Sequence, residues 1–103
     1  MSKVWKITTN LTEQENTQLL SNMTEQEHEM VATLKLNLSV DVIENETITS
    51  FVVCNELNLE KLKSLLINHG VQFNVDDTTE FFVTEDIKVD DLSQDYIYEK
   101  LGV

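Results

Sequence analysis

The stretch Met30 to Ile43, MVATLKLNLSVDVI, constrains the fold of this chain more than any other. Ala32, Leu34, Leu36, Leu38, Val40 and Val42 alternate with Val31, Thr33, Lys35, Asn37, Ser39 and Asp41. Apolar residues at period two, with mostly polar residues between them, predict one long half-buried β-strand. A strand with one wet face belongs in an antiparallel sheet packed on one side. The apolar row Ala32–Val42 is then the floor for helices, and Thr33, Lys35, Asn37, Ser39 and Asp41 form an open polar face.

The neighbouring segments fill in the sheet. Lys3 to Thr9 reads as a first strand through Val4, Trp5 and Ile7. Thr12 and Glu15 have the spacing of a capping box, which predicts a helix over residues 13–23 with Leu19, Leu20 and Met23 as a thin apolar stripe. The tetrad recurs as Thr24-Glu25-Gln26-Glu27, not as a structural repeat; of the two readings open to it, a cap for another turn or a solvated loop before the long strand, we take the loop. Glu44-Asn45-Glu46 is a turn, Asn being tolerant of positive φ. Thr47 to Cys54 returns as a hairpin strand. Asn55 or Asn58 caps a helix whose Leu59, Leu62, Leu65 and Leu66 recur at helical spacing, with Gly70 just past its end. Val71, Phe73 and Val75 form a further strand, and Asp76 to Thr79 a polar turn. Glu80 to Thr84 reads as a short return strand, Ile87 and Val89 alternate briefly, and Asp90 or Asp91 caps a last helix through Tyr96, Ile97 and Leu101.

The order strand, helix, strand, strand, helix, strand resembles the ferredoxin-like split fold over roughly residues 3–84. We therefore expect an α+β chain: a ferredoxin-like βαββαβ antiparallel sheet, helices on one face, and a short carboxy-terminal strand/helix appendage. Its 103 residues, with no Pro- or Gly-rich linker, predict a single compact domain over residues 1–103. The resemblance is architectural and implies no function.

Composition narrows the role. The chain has 19 acids against 7 lysines, no arginine, and a net charge of −12. Such a surface repels nucleic acid and anionic membranes and attracts basic surfaces. Without arginine there is no bidentate fork for phosphate or carboxylate. Sequons occur at Asn10, Asn22, Asn37 and Asn45, which we attribute to an Asn- and Thr-rich composition. One cysteine and no apolar signal core at the amino terminus predict a cytoplasmic, reducing setting. The shortage of Arg, Pro, Ala and Gly suits an AT-rich genome, such as that of many low-GC bacteria, phages or plasmids.

No motif carries catalysis. Cys54 reads as a small apolar core residue. His28 sits between Glu27 and Glu29 in an acidic stretch, and His69 at a helix end; neither has the partners a metal site needs. The acids at Asp76–Glu80, Glu85–Asp86 and Asp90–Asp91 do not meet the spacing of a calcium loop. We expect no enzyme activity, no metal and no cofactor. Of Tyr96 and Tyr98, two apart on one helix, one is expected to be exposed.

The acids are unevenly placed. Between Asp76 and Glu99 there are nine acids and one lysine, Lys88. The candidate partner-binding residues are thus Asp76, Asp77, Glu80, Glu85, Asp86, Asp90, Asp91, Asp95 and Glu99. The expected role is a small acidic interaction protein. Its nucleic-acid-mimicking face would bind and inhibit a protein with a basic surface, such as a nuclease or another nucleic-acid-binding factor. In charge and size the chain resembles the small acidic proteins that phages direct against host machinery. The alternative is a structural or regulatory domain that forms a homodimer through a sheet edge, its charge serving only solubility.

Overall fold

In the computed structural model, which describes residues 1–34 and 38–103, four strands form one antiparallel sheet in the order β2-β3-β1-β4. The strands are β1 (Lys3–Thr9), β2 (Leu38–Glu44), β3 (Thr47–Cys54) and β4 (Phe73–Asp77). Helices α1 (Glu13–Asn22) and α2 (Glu25–Leu34) lie between β1 and β2, and α3 (Glu56–Asn68) between β3 and β4. After β4 come a short helix α4 (Thr79–Phe82), a 3-10 turn (Val89–Asp91) and α5 (Gln94–Leu101). The chain is therefore α+β.

Local signals set most element ends. Thr12 accepts from the Glu15 amide at 3.2 Å while the Glu15 carboxylate accepts from the Thr12 amide at 3.1 Å, a complete capping box. Asn55 caps α3 by accepting from the Asn58 amide at 2.8 Å. At the other end of α3, Gly70 takes φ 72°, its amide donates to the Ile67 carbonyl, and the Val71 amide donates to the Leu66 carbonyl. That is the Schellman arrangement, with buried Val71 as its apolar contact. The hairpin closes through Asn45 and Glu46, both at positive φ as a type I′ turn requires.

The long strand is a correction. Residues up to Leu34 are helical, and β2 begins only at Leu38; Lys35, Leu36 and Asn37 lie outside the described residues. The cause is the second tetrad, expected to be a loop. Thr24 and Glu27 form a second capping box, at 3.2 and 3.0 Å, and start α2. Met30 and Leu34, four apart, satisfy helical spacing as well as alternation, and the cap decides between the two. Ala32 and Thr33 are exposed on this helix, while Met30 packs on the core.

The expectation of helices on one face is corrected as well. Trp5, Ile7, Val52 and Cys54 pack against Leu59 and Leu62 of α3, with Met30 of α2 at the margin. On the opposite face Val4, Val40, Phe51 and Val53 pack against Phe82 and Ile97. So Leu38, Val40 and Val42 are a floor for the carboxy-terminal segment and not for α2 and α3. That segment is no appendage: Phe82 and Ile97 are both 0% exposed. Burying side chains of this size stabilises by about 1.5–3 kcal/mol each.

Three smaller expectations also change. Glu80 to Thr84 is not a strand: Asp77 accepts from the Thr79 amide at 3.0 Å and its hydroxyl at 2.6 Å, turning the chain into α4. Ile87 precedes a 3-10 turn and Val89 begins it, so the two do not form a strand, and Asp91 caps that turn by accepting from the Lys88 amide. The cap of α5 is Ser93, which accepts from the Tyr96 amide at 3.2 Å. Asp76 and Asp77 end β4 and are not a turn.

Replacement of Ile97 by Ala is expected to destabilise the whole chain by about 2–5 kcal/mol in urea unfolding, since a fully buried aliphatic side chain is removed. An unchanged midpoint would mean that α5 is not part of the cooperative unit. Glu46→Gly is expected to stabilise by about 0.5–1 kcal/mol, because glycine takes positive φ without a Cβ penalty.

Candidate functional site

The acid-rich segment is fastened to the sheet at several points. Where β4 ends, the Thr78 amide and hydroxyl both donate to the Val4 carbonyl, at 2.9 and 3.0 Å. The Val4 amide donates to the Thr79 hydroxyl oxygen at 3.0 Å. The chain then crosses to the second face of the sheet. There the Phe82 ring meets Phe51 edge-on, with centroids 5.6 Å apart, and Phe81 meets Phe82 in the same way at 4.9 Å. Thr84 closes the next loop by accepting from the amides of Asp86 and Ile87. The Tyr96 hydroxyl donates to the Phe82 carbonyl at 2.8 Å and so ties α5 to α4. Tyr96 faces inward and Tyr98 is 37% exposed, the division expected from their spacing.

All nine candidate acids, Asp76, Asp77, Glu80, Glu85, Asp86, Asp90, Asp91, Asp95 and Glu99, are exposed. They are not equivalent. Asp77 is held by Thr79 and lies 3.6 Å from the Lys3 ammonium, and Asp91 is a cap. The hydrogen bonds from Thr79, helped by Lys3, keep the Asp77 carboxyl below the usual carboxylate range. Among the described residues, Glu80, Glu85, Asp86, Asp90, Asp95 and Glu99 have no cation within 4 Å. Lys100, at the end of α5, lies over the Phe81 ring at 5.4 Å from its centroid.

The histidines and the cysteine sit elsewhere. Cys54 is fully buried in the helix-side core, its carbonyl accepts from the Trp5 indole at 3.0 Å, and burial pushes its thiol pKa up. Such a thiol is protonated and poorly nucleophilic. His28 is exposed on α2. His69 Nε2 is 2.7 Å from Glu27 Oε2, a contact across 42 residues that no local pattern announces. The Thr24 amide, then His69, hold the Glu27 carboxyl below its usual range. Beside this contact a groove of about 460 Å³ runs between α2 and α3, with Met30, Leu57 and Leu65 as its apolar lining. Among the described residues no three His, Cys, Asp or Glu side chains converge as metal ligands would, and no helix is long and apolar enough to cross a membrane.

Comparison with known proteins gives no match to a family model, to a curated protein or to a solved structure.

The lowered carboxyls of Asp77 and Glu27 make a statement about acid stability. A group with a depressed folded pKa contributes stability above its unfolded pKa and loses it as pH falls through the folded one. Asp77→Asn and Glu27→Gln are therefore expected to lower the thermal midpoint at pH 7, with the gap from wild type closing below about pH 4, where carboxyls protonate. A gap that is constant from pH 7 to pH 3 would show that the carboxylate charges contribute nothing.

Proposed function

We propose that this chain is a non-enzymatic interaction protein whose acidic carboxy-terminal cap covers the basic, nucleic-acid-binding surface of a partner and so inhibits it. The observation that carries this reading is the two-sided character of the cap. Its inward side, Phe82 and Ile97, is locked into the core, and its outward side carries the acids. Carboxylates on such a frame keep fixed spacings, which is what imitation of a phosphate row requires. Asp95 and Glu99 are one turn apart on α5, about 6 Å along the axis. Two successive steps along one duplex strand cover about 7 Å. Exposed Tyr98 between them, and exposed Phe81 on α4, supply aromatic surface of the kind that anchors protein interfaces.

The reading extends to setting and fold. A cytoplasmic protein of a phage or mobile element, acting by competition with nucleic acid, accounts for both the charge and the AT-rich codon signature. The fold is inferred to be a ferredoxin-like βαββαβ unit. The support is its two interleaved crossovers: β1 to β2 across β3, and β3 to β4 across β1. The elaborations are an added helix, α1, and the carboxy-terminal cap.

The test is affinity capture from a bacterial lysate with the tagged protein, at about 0.05 M and 0.5 M salt. The expected catch is a nucleic-acid-processing protein whose activity falls on addition of this chain. It is released by the higher salt and is retained about tenfold less by a variant carrying E85Q, D86N, D90N, D95N and E99Q. Capture that is insensitive to salt, or equal capture by the variant, overturns the reading.

A further inference from the structure

The two edges of the sheet are treated differently. At the β2 edge the Gln94 side chain of α5 donates to the Ser39 carbonyl at 3.4 Å, so the cap reaches over that border. At the β4 edge the backbone alternates. The Val4 carbonyl accepts from Thr78 and the Asn10 amide donates to Gln72, while Lys6 and Thr8 stand opposite Asp76 and Asn74. The even-numbered residues of β1 thus take the bonds to β4. Phe73, Val75 and Asp77 are left with their N–H and C=O groups pointing out of the sheet. Such a row is a template for another strand.

Beside this edge lies a pocket of about 440 Å³ between β4 and α3. Trp5, Leu59 and Val75 form its apolar lining, and Glu56, Glu60 and Lys63 stand along the helix side. The two glutamates are paired only at the surface. Glu60 is 3.2 Å from Lys63 and Glu56 is 4.0 Å from Lys3, with the glutamate side chains 65% and 75% exposed. Surface pairs of this kind are weak, and an incoming cation can replace them.

We propose that the β4 edge and this pocket form a docking site for an extended segment of a partner protein. The segment adds to the sheet as a fifth strand. It carries one apolar side chain over Trp5, Leu59 and Val75, and a lysine or arginine two positions away, on the same face, against Glu56 or Glu60. Backbone bonds supply affinity, and the pocket and the acids supply selectivity. A second copy of this chain is disfavoured as occupant by the −12 charge that each copy brings. The site stands on the opposite side of the sheet from the acidic cap and does not depend on the role of that cap.

The probe is an acetylated peptide of seven residues, Thr-Val-Thr-Lys-Thr-Val-Thr, about the length of a typical strand, in which valine and lysine two positions apart share one face. Its binding is followed by NMR and by amide hydrogen exchange at 0.15 M salt. The expected result is about tenfold slower exchange at Phe73, Val75 and Asp77 on peptide addition. The same peptide N-methylated along its backbone, and the peptide with glutamate in place of its lysine, are expected to bind at least about tenfold more weakly. Glu60→Lys, on an exposed helix position, is expected to weaken the lysine peptide about threefold or more, and Val75→Pro, which removes one outward donor, to weaken it further. Equal binding of the N-methylated peptide, protection confined to α5, or no protection at saturating peptide overturns the proposal. So does a peptide-free protein that sediments as a dimer with the three amides already slow, because the edge then belongs to a second copy.

Discussion

Phe51, Val52, Val53 and Cys54 are buried one after another on β3, and this two-sided burial governs the architecture. A strand whose successive side chains point to opposite faces can be buried throughout only if both faces are covered. On one side α3, with α2 at its margin, supplies the cover. On the other side the fold has no crossover helix to offer, and the segment after β4 does that work with Phe82, Leu92 and Ile97. The core is thus two thin layers that share β1 and β3. Each layer is small, and each protects the backbone bonds of the other.

The sequence was legible wherever a signal was local. Thr12, Asn55 and Gly70 mark helix ends by their own chemistry, and β1 and β3 begin and end where their β-branched and aromatic residues do. The stretch from Met30 was misleading because two periods fit it at once. Only the Thr24–Glu27 box, six residues upstream, decides for the helix. The second layer had a signal too. The unbroken run Phe51–Cys54 is what a strand buried on both faces looks like, and the apolar residues from Phe81 to Ile97 exceed what a surface tail needs. The contact of His69 with Glu27 had no signal, since it depends on how α2 lies against α3. The nine acids could be named from sequence; that Asp77 and Asp91 are fastened to the backbone could not.

Charge and core are concentrated in the same segment. Nine of the 19 acids fall between Asp76 and Glu99, the stretch that also holds the largest fully buried side chain, Phe82. Like charges so close repel, and water screens that repulsion only in part. The apolar inner side and the bonds to Val4 and Phe82 hold the segment down against it. A solubility role would be served equally by acids scattered over the surface. Here they are concentrated on a cover whose inner side, Phe82 and Ile97, is fully buried, the arrangement that the proposed binding role requires.

The one tryptophan of this chain sits in only one of the two layers. Trp5 is nearly buried on the helix side, its indole bonded to the Cys54 carbonyl, while Tyr96 lies in the opposite layer. The two chromophores therefore observe different halves of the core. If the cap loosened ahead of the rest, tyrosine signals would change while tryptophan emission stayed put. If both layers melt together, the two optical transitions coincide. The molecule carries, without added labels, a separate reporter for each side of its sheet.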